Sequence, residues 1–211
     1  MHLPKAIAAL TKWADTEASR YQLECVRIKA DGTFVFAEAT DGRRLCRLTW
    51  HCTGVEGEYY LDRKVLSKAL KSVGLSDGGY SAGLNGAVTL YGRNAGQTIP
   101  KAEVERWPKT EDVLVPAASA RRDTIDTYWL RDKARAVLKA DPKAQPPAMD
   151  LQVGPVTMRM DATYLRDMAE TAIQCGYDEV QVTATDPQSA VHFWCNNDVL
   201  FDAVIMPLAA D

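Results

Sequence analysis

The apolar positions of this chain change period several times, and each change marks an element. Over residues 3–14, Leu3, Ile7, Leu10 and Ala14 recur at helical spacing, with Lys5 and Lys12 on the opposite side. Pro4 falls in the first turn of that expected helix, where its missing N–H costs little. The period then drops to two. Residues 23–29, 33–39 and 45–50 alternate apolar with polar and read as strands. Asp31-Gly32 and Asp41-Gly42 supply the two hairpin turns between them. The pattern then restarts with a strand over 58–61 and a helix from the N-cap Asp62 to about Val73, stopped by Gly74. Strands near 79–82, 87–91 and 97–99 follow, with Asn85-Gly86 as a further turn. A helix followed by three strands has thus occurred twice, which predicts one internally duplicated domain over residues 1–106.

Residues 107–122, with Pro108 and Pro116, read as a connector, and residues 123–211 as a second domain. Its first helix spans 128–139 and cannot continue into 141–147, which holds three prolines. A strand over 156–160 leads to the cap Asp161 and a helix over 163–174 that ends before Gly176. Strands at 179–184, 190–194 and 199–205 close the chain. After the helix at 128–139 there is room for one strand at most, around 148–153, where the first domain has three. The expected class is α+β: two domains built from helix plus antiparallel-strand repeats, the second reduced.

Composition narrows the function classes. The 211 residues are 46% hydrophobic and 25% charged with a net charge of −3, so a nucleic-acid surface would have to be local. Five cysteines without metal-like spacing predict reduced thiols, no metal and a cytoplasmic setting. The N-terminus lacks a long apolar signal core, and no run approaches the ~20 apolar residues of a membrane span. His2, His51 and His192 are too scattered for a triad, and phosphate-cradling glycine loops and paired carboxylates are missing. No catalysis and no cofactor are expected.

Four motifs in order carry a resemblance. They are the run Thr16-Glu17-Ala18-Ser19-Arg20-Tyr21-Gln22-Leu23, the hairpin Ala39-Thr40-Asp41-Gly42-Arg43-Arg44-Leu45, Glu105-Arg106-Trp107-Pro108, and Ala203-Val204-Ile205-Met206-Pro207-Leu208. The set resembles the bacterial DNA polymerase sliding clamp, the β subunit of the replicative polymerase. Its motifs align with that family's middle and last domains, so the resemblance implies a two-domain form of the DNA-clamp fold. The small size fits a phage or phage-derived origin. The implied function is a processivity factor that encircles duplex DNA without reading its sequence and tethers polymerases, with a clamp loader as a further partner. Six domains per ring would make it a homotrimer. The alternative is a clamp-derived interaction module or decoy that binds the same peptides without closing a ring.

Two sets of site residues follow. A clamp needs basic inner helices. Lys64, Lys68 and Lys71 lie opposite an apolar stripe of Val65, Leu66, Ala69, Leu70 and Val73, with no acid between the lysines. Arg131, Arg135 and Lys139 run at i, i+4 and i+8 beside a stripe of Leu130, Ala134, Val137 and Leu138. Lys5, Lys12, Arg20 and Arg63 complete the expected DNA-contacting set. The last helix disagrees, because Asp167, Glu170 and Gln174 oppose its apolar stripe. The resemblance further implies a pocket for short apolar peptides beside the joint of the two domains. Its wall would comprise Leu23, Thr40, Gly42, Arg43, Arg44, Leu45, Pro108, Val113, Val204, Ile205, Met206, Pro207 and Leu208, with Arg44 anchoring the peptide's polar groups. Glu111-Asp112 stands where the family often has a basic residue, which implies a different peptide preference.

Overall fold

A computed structural model describes residues 1–17, 23–75, 79–84, 87–114 and 121–209. The expected turn at Asn85-Gly86 and the expected DNA contact Arg20 lie outside them. The chain divides into two compact units, the first Met1–Gly42, Cys46–Pro108 and Asn196–Leu200, the second Arg43–Leu45, Lys109–Cys195 and Phe201–Asp211.

The first unit begins with strand β1 (His2–Pro4) and the single-turn helix α1 (Ile7–Leu10). This corrects the continuous helix expected over residues 3–14. Antiparallel pairing of Leu3 with Tyr80 and Pro4 with Gly79 takes the first residues into a sheet. The approach is close: a Cβ on Gly79 would sit 2.4 Å from the Leu3 carbonyl oxygen. The apolar set nevertheless faces inward as spaced, since Leu3, Ile7, Leu10 and Ala14 are all buried. Then come β2 (Cys25–Asp31), β3 (Phe34–Thr40), β4 (Arg44–His51), β5 (Glu56–Asp62), α2 (Arg63–Val73), β6 (Gly79–Leu84), β7 (Val88–Tyr91) and β8 (Gly96–Ile99). They form two antiparallel sheets, ordered β1-β6-β7-β8 and β5-β2-β3-β4.

One face of the second sheet carries an ionic network. On β3, Val35, Ala37 and Ala39 point into the core, which puts Glu38 on the other face, yet Glu38 is fully buried. Its Oε1 accepts from Arg27 Nη1 at 2.8 Å and from Trp107 Nε1 at 2.6 Å. Its Oε2 accepts from Arg47 Nε and Nη2 at 2.8 and 2.6 Å. The Arg27 and Arg47 guanidinium groups also lie 5.4 and 4.6 Å from the Phe36 ring centre. Arg27 Nε donates to Glu58, which also accepts from Tyr60. Burial first, and then the hydrogen bond to Glu58, pushes the Tyr60 phenol up to about 12.

The second unit contains β9 (Arg121–Asp126), α3 (Thr127–Ala140), β10 (Ala148–Val153), β11 (Val156–Asp161), α4 (Ala162–Gln174), β12 (Glu179–Ala184), β13 (Val191–Cys195) and β14 (Val199–Ile205). Strand β9 starts inside the stretch read as connector. Its sequence, Arg-Arg-Asp-Thr-Ile-Asp, has one apolar residue and no legible alternation. It forms through its backbone ladder to β12, from Glu179 opposite Asp126 to Ala184 opposite Arg121. One sheet is ordered β14-β13-β12-β9, and the other holds only β10 and β11. Among the described residues, α3 is thus followed by one strand before the repeat restarts, whereas α1 is followed by three. Helices α3 and α4 pack together through Leu130 and Ala134 against the apolar side of Leu165, Met168, Ala169 and Ala172. Among the described residues, no helix is long and apolar enough to cross a membrane.

Replacing Glu38 with Ala would leave the buried Arg27, the half-buried Arg47 and an indole N–H without their shared acceptor. A loss of about 3–5 kcal/mol is expected, as for breaking other buried ion pairs, read from the urea unfolding midpoint. Tyr60 supplies a second expectation. Its folded pKa lies above its unfolded one, so its contribution is present below pH ~10 and is lost as pH rises toward 12. In an ultraviolet titration, Tyr60→Phe should remove one late-ionising phenol.

Candidate functional site

Helix α2 follows from local chemistry. The Asp62 side chain accepts from the Lys64 and Val65 backbone N–H groups at 2.8 and 2.9 Å, and Gly74 stops the helix at φ 70°. Leu66, Ala69, Leu70 and Val73 are buried beneath it. Val65, expected in that stripe, is exposed instead. The outward side carries Lys64, Lys68 and Lys71, all exposed.

These lysines line a cleft of about 670 Å³ together with Lys12 and Arg63. Lys12 reaches it from the turn after α1, and Ala8, Thr11, Ser67, Leu70 and Tyr80 complete the wall. Among the described residues no lining side chain is acidic, and the five cationic ones form a positive surface in a concave wall, which focuses the field. Arg63 Nε is buried without a hydrogen-bond partner. Lys5 is exposed but is not among the lining residues. Neither Lys5 nor Lys12 lies on α1, which corrects the basic helix face expected there.

In the second unit, Arg131, Arg135 and Lys139 do share one side of α3. Arg131 Nε pairs with Asp132 at 2.7 Å, and Arg135 Nη2 with Glu170 at 2.7 Å. The acidic face expected on α4 is absent. Asp167 is buried, with Arg44 Nη1 at 2.9 Å from its Oδ2 and Arg166 Nη2 at 2.7 Å from its Oδ1. Glu170 is the partner of Arg135. Asp167 is neutralised by its neighbour Arg166 and by the distant Arg44, and Glu170 by Arg135, pairings across elements that helix periodicity alone does not reveal.

The expected peptide-binding residues divide between the units. Leu23, Thr40, Gly42 and Pro108 belong to the first. There the Gly42 N–H donates to Thr40 Oγ1 at 3.0 Å and Leu23 packs beside Gly42. Arg43, Arg44, Leu45, Val113, Val204, Ile205, Met206, Pro207 and Leu208 belong to the second. The Met206 N–H donates to the Arg43 carbonyl at 2.9 Å, and the Leu208 N–H to the Arg159 carbonyl at 2.8 Å. Met206 and Val113 are the exposed apolar members. Ile205 is fully buried on the same side of β14 as Phe201 and Ala203, away from Met206. The Arg44 guanidinium is not a free anchor: it is buried on Asp167 and lies 4.2 Å from the centre of the Tyr164 ring. Tyr164 and Asp167 therefore belong to this cluster although the sequence reading missed them. Arg44 lies some 120 residues away, so no local spacing signalled the contact. A hollow of about 420 Å³ in the same unit runs between Leu208, Met158, Arg159 and Gln188.

No family model and no curated protein matches the chain by sequence. Solved structures do match. The chain superposes on the DNA polymerase III beta chain of Streptococcus pneumoniae with a TM-score of 0.78 and 16% identity, over 100% of this chain and 64% of that one. The subunit beta of Pseudomonas aeruginosa gives 0.77 and 16% over 99% of this chain and 66% of that one. A Helicobacter pylori beta clamp solved with a DNA ligase peptide gives 0.76 and 10% over 100% and 65%. This chain thus spans somewhat less than two thirds of the length of these proteins. Coverage of the whole chain at these scores establishes its fold as that of the bacterial DNA polymerase III beta sliding clamps.

Proposed function

We propose that this chain is a sliding-clamp-like processivity factor that acts by binding and not by catalysis. The acid-free cleft of Lys12, Arg63, Lys64, Lys68 and Lys71 carries the reading. A surface of one sign suits the phosphate backbone of duplex DNA, which it would grip without reading sequence. The segment Val204–Leu208, with Met206 exposed and tied to Arg43, is the proposed seat for short apolar peptides of polymerases or related enzymes. The ligase peptide on the Helicobacter pylori clamp supports that part of the reading. Three copies would supply six domains for a ring, and a loader would open it.

Binding to a labelled duplex across a salt series tests the cleft. Lys64→Glu, Lys68→Glu and Lys71→Glu combined should abolish most of the affinity and flatten the log–log salt slope by about 3, at close to one unit per lost phosphate contact. Unchanged affinity with an unchanged slope would overturn the assignment. A second reading, a peptide-binding module that closes no ring, is favoured by one observation: the second unit's smaller sheet stops at the β10–β11 pair. Light scattering separates the two. A mass near three times 23.3 kDa is expected for the ring, and a persistent monomer for the module.

A further inference from the structure

The clamp reading uses α3 only as a row of cations. Its first turn carries something that phosphate contact does not need. Trp129 is 53% exposed and Tyr128 is 42% exposed, at consecutive positions about 100° apart around the helix. Their positions are fixed from below. Asp126 caps the helix through the Trp129 N–H at 2.7 Å, Thr127 Oγ1 donates to the Tyr177 and Asp178 carbonyls at 2.9 Å each, and Leu130 is fully buried. Each ring is attended by a cation one turn further on. Arg131 lies 5.1 Å from the Tyr128 ring centre, and Lys133 lies 4.8 Å from that of Trp129. Arg135 and Lys139 extend the Tyr128–Arg131 line, giving a strip roughly 16 Å long at ~1.5 Å per residue.

We propose that this face of α3 is a binding site for single-stranded DNA, with Tyr128 and Trp129 stacking exposed bases and the cations of the same helix following the backbone. Two amphipathic rings set in a basic strip are the usual platform for unpaired bases, because every base has a π-face. A closed duplex offers no such faces, so the rings add nothing to duplex binding. Charge decides against a protein occupant: α3 carries Arg131, Lys133, Arg135 and Lys139 against the single acid Asp132, and lysines are depleted where proteins bury apolar contacts. The pairs Arg131–Asp132 and Arg135–Glu170 do not block the strip, since exposed ion pairs hold each other weakly and a phosphate can displace the carboxylate. The site uses neither the α2 cleft nor the Met206 segment, so it stands whether or not the clamp reading does.

The test is binding of fluorescent oligo(dT) and of a blunt duplex to the full chain. The wild type should bind oligo(dT), and Tyr128→Ala with Trp129→Ala should weaken that binding by about 30-fold or more, at about 5- to 100-fold for each base whose stacking is lost. The salt slope should stay unchanged, because the phosphate contacts remain, and duplex binding should stay as it was. Trp129→Phe should restore much of the loss, which separates stacking from a folding defect, and circular dichroism checks the fold. A wild type that ignores oligo(dT), or a double variant that binds it normally, overturns the proposal. So does a double variant that binds weakly only because the protein has dissociated into smaller species, which would make the face a contact between copies.

Discussion

Glu38 is a carboxylate with no access to water, and the first unit is arranged around satisfying it. Two arginines on neighbouring strands and one indole from the connector supply four donor contacts. A buried ion is tolerated only with such complete compensation, because desolvation otherwise outweighs the attraction. The network joins β2, β3 and β4 on one face while Val35, Ala37 and Ala39 pack the other. It also ties Trp107, and with it the start of the connector, to a defined place on that sheet. The sheet so fixed includes β5, and β5 ends at Asp62, the cap that starts α2. The direction in which Lys64, Lys68 and Lys71 point is therefore set by the frame that Glu38 helps to hold.

Charge is handled differently in the α2 cleft and in the ion-pair clusters of the two units. In the α2 cleft the described lining residues bring five cations together and no acid. In the second unit arginines are consumed internally. Arg44 and Arg166 converge on Asp167, and Arg135 meets Glu170. A net charge of −3 over the chain conceals this division. It explains why the bulk composition points away from nucleic acid while one surface points toward it. The same reasoning removes the repulsion that the α4 acids were expected to exert.

Much of the fold could be read from local signals. Helices and strands announced by a cap, a period and a stop fell where expected, as with α2 between Asp62 and Gly74 or β12 over Glu179–Ala184. The shortage of strands after α3 was also visible, since 141–147 with its prolines left space for β10 alone. Two elements were not legible for a physical reason: they owe their form to pairing across the chain. Strand β1 exists because Leu3 and Pro4 meet Tyr80 and Gly79, and β9 because its backbone finds β12. At the sites, the basic spacing on α2 was readable, but the burial of Arg44 was not. Its partners Tyr164 and Asp167 lie some 120 residues away, and no periodicity in either segment points to the other.

The central claim is that the α2 cleft lies against duplex DNA, and site-directed photocrosslinking addresses it most directly. A photoreactive group would be attached at Ser67→Cys, inside the cleft, and at Phe34→Cys, an exposed position on β3, in chains otherwise free of accessible thiols. The account predicts a DNA adduct from position 67 that fades as salt rises, and little or none from position 34. Equal adducts from both positions, or none from 67 under conditions where the duplex is bound, would contradict it.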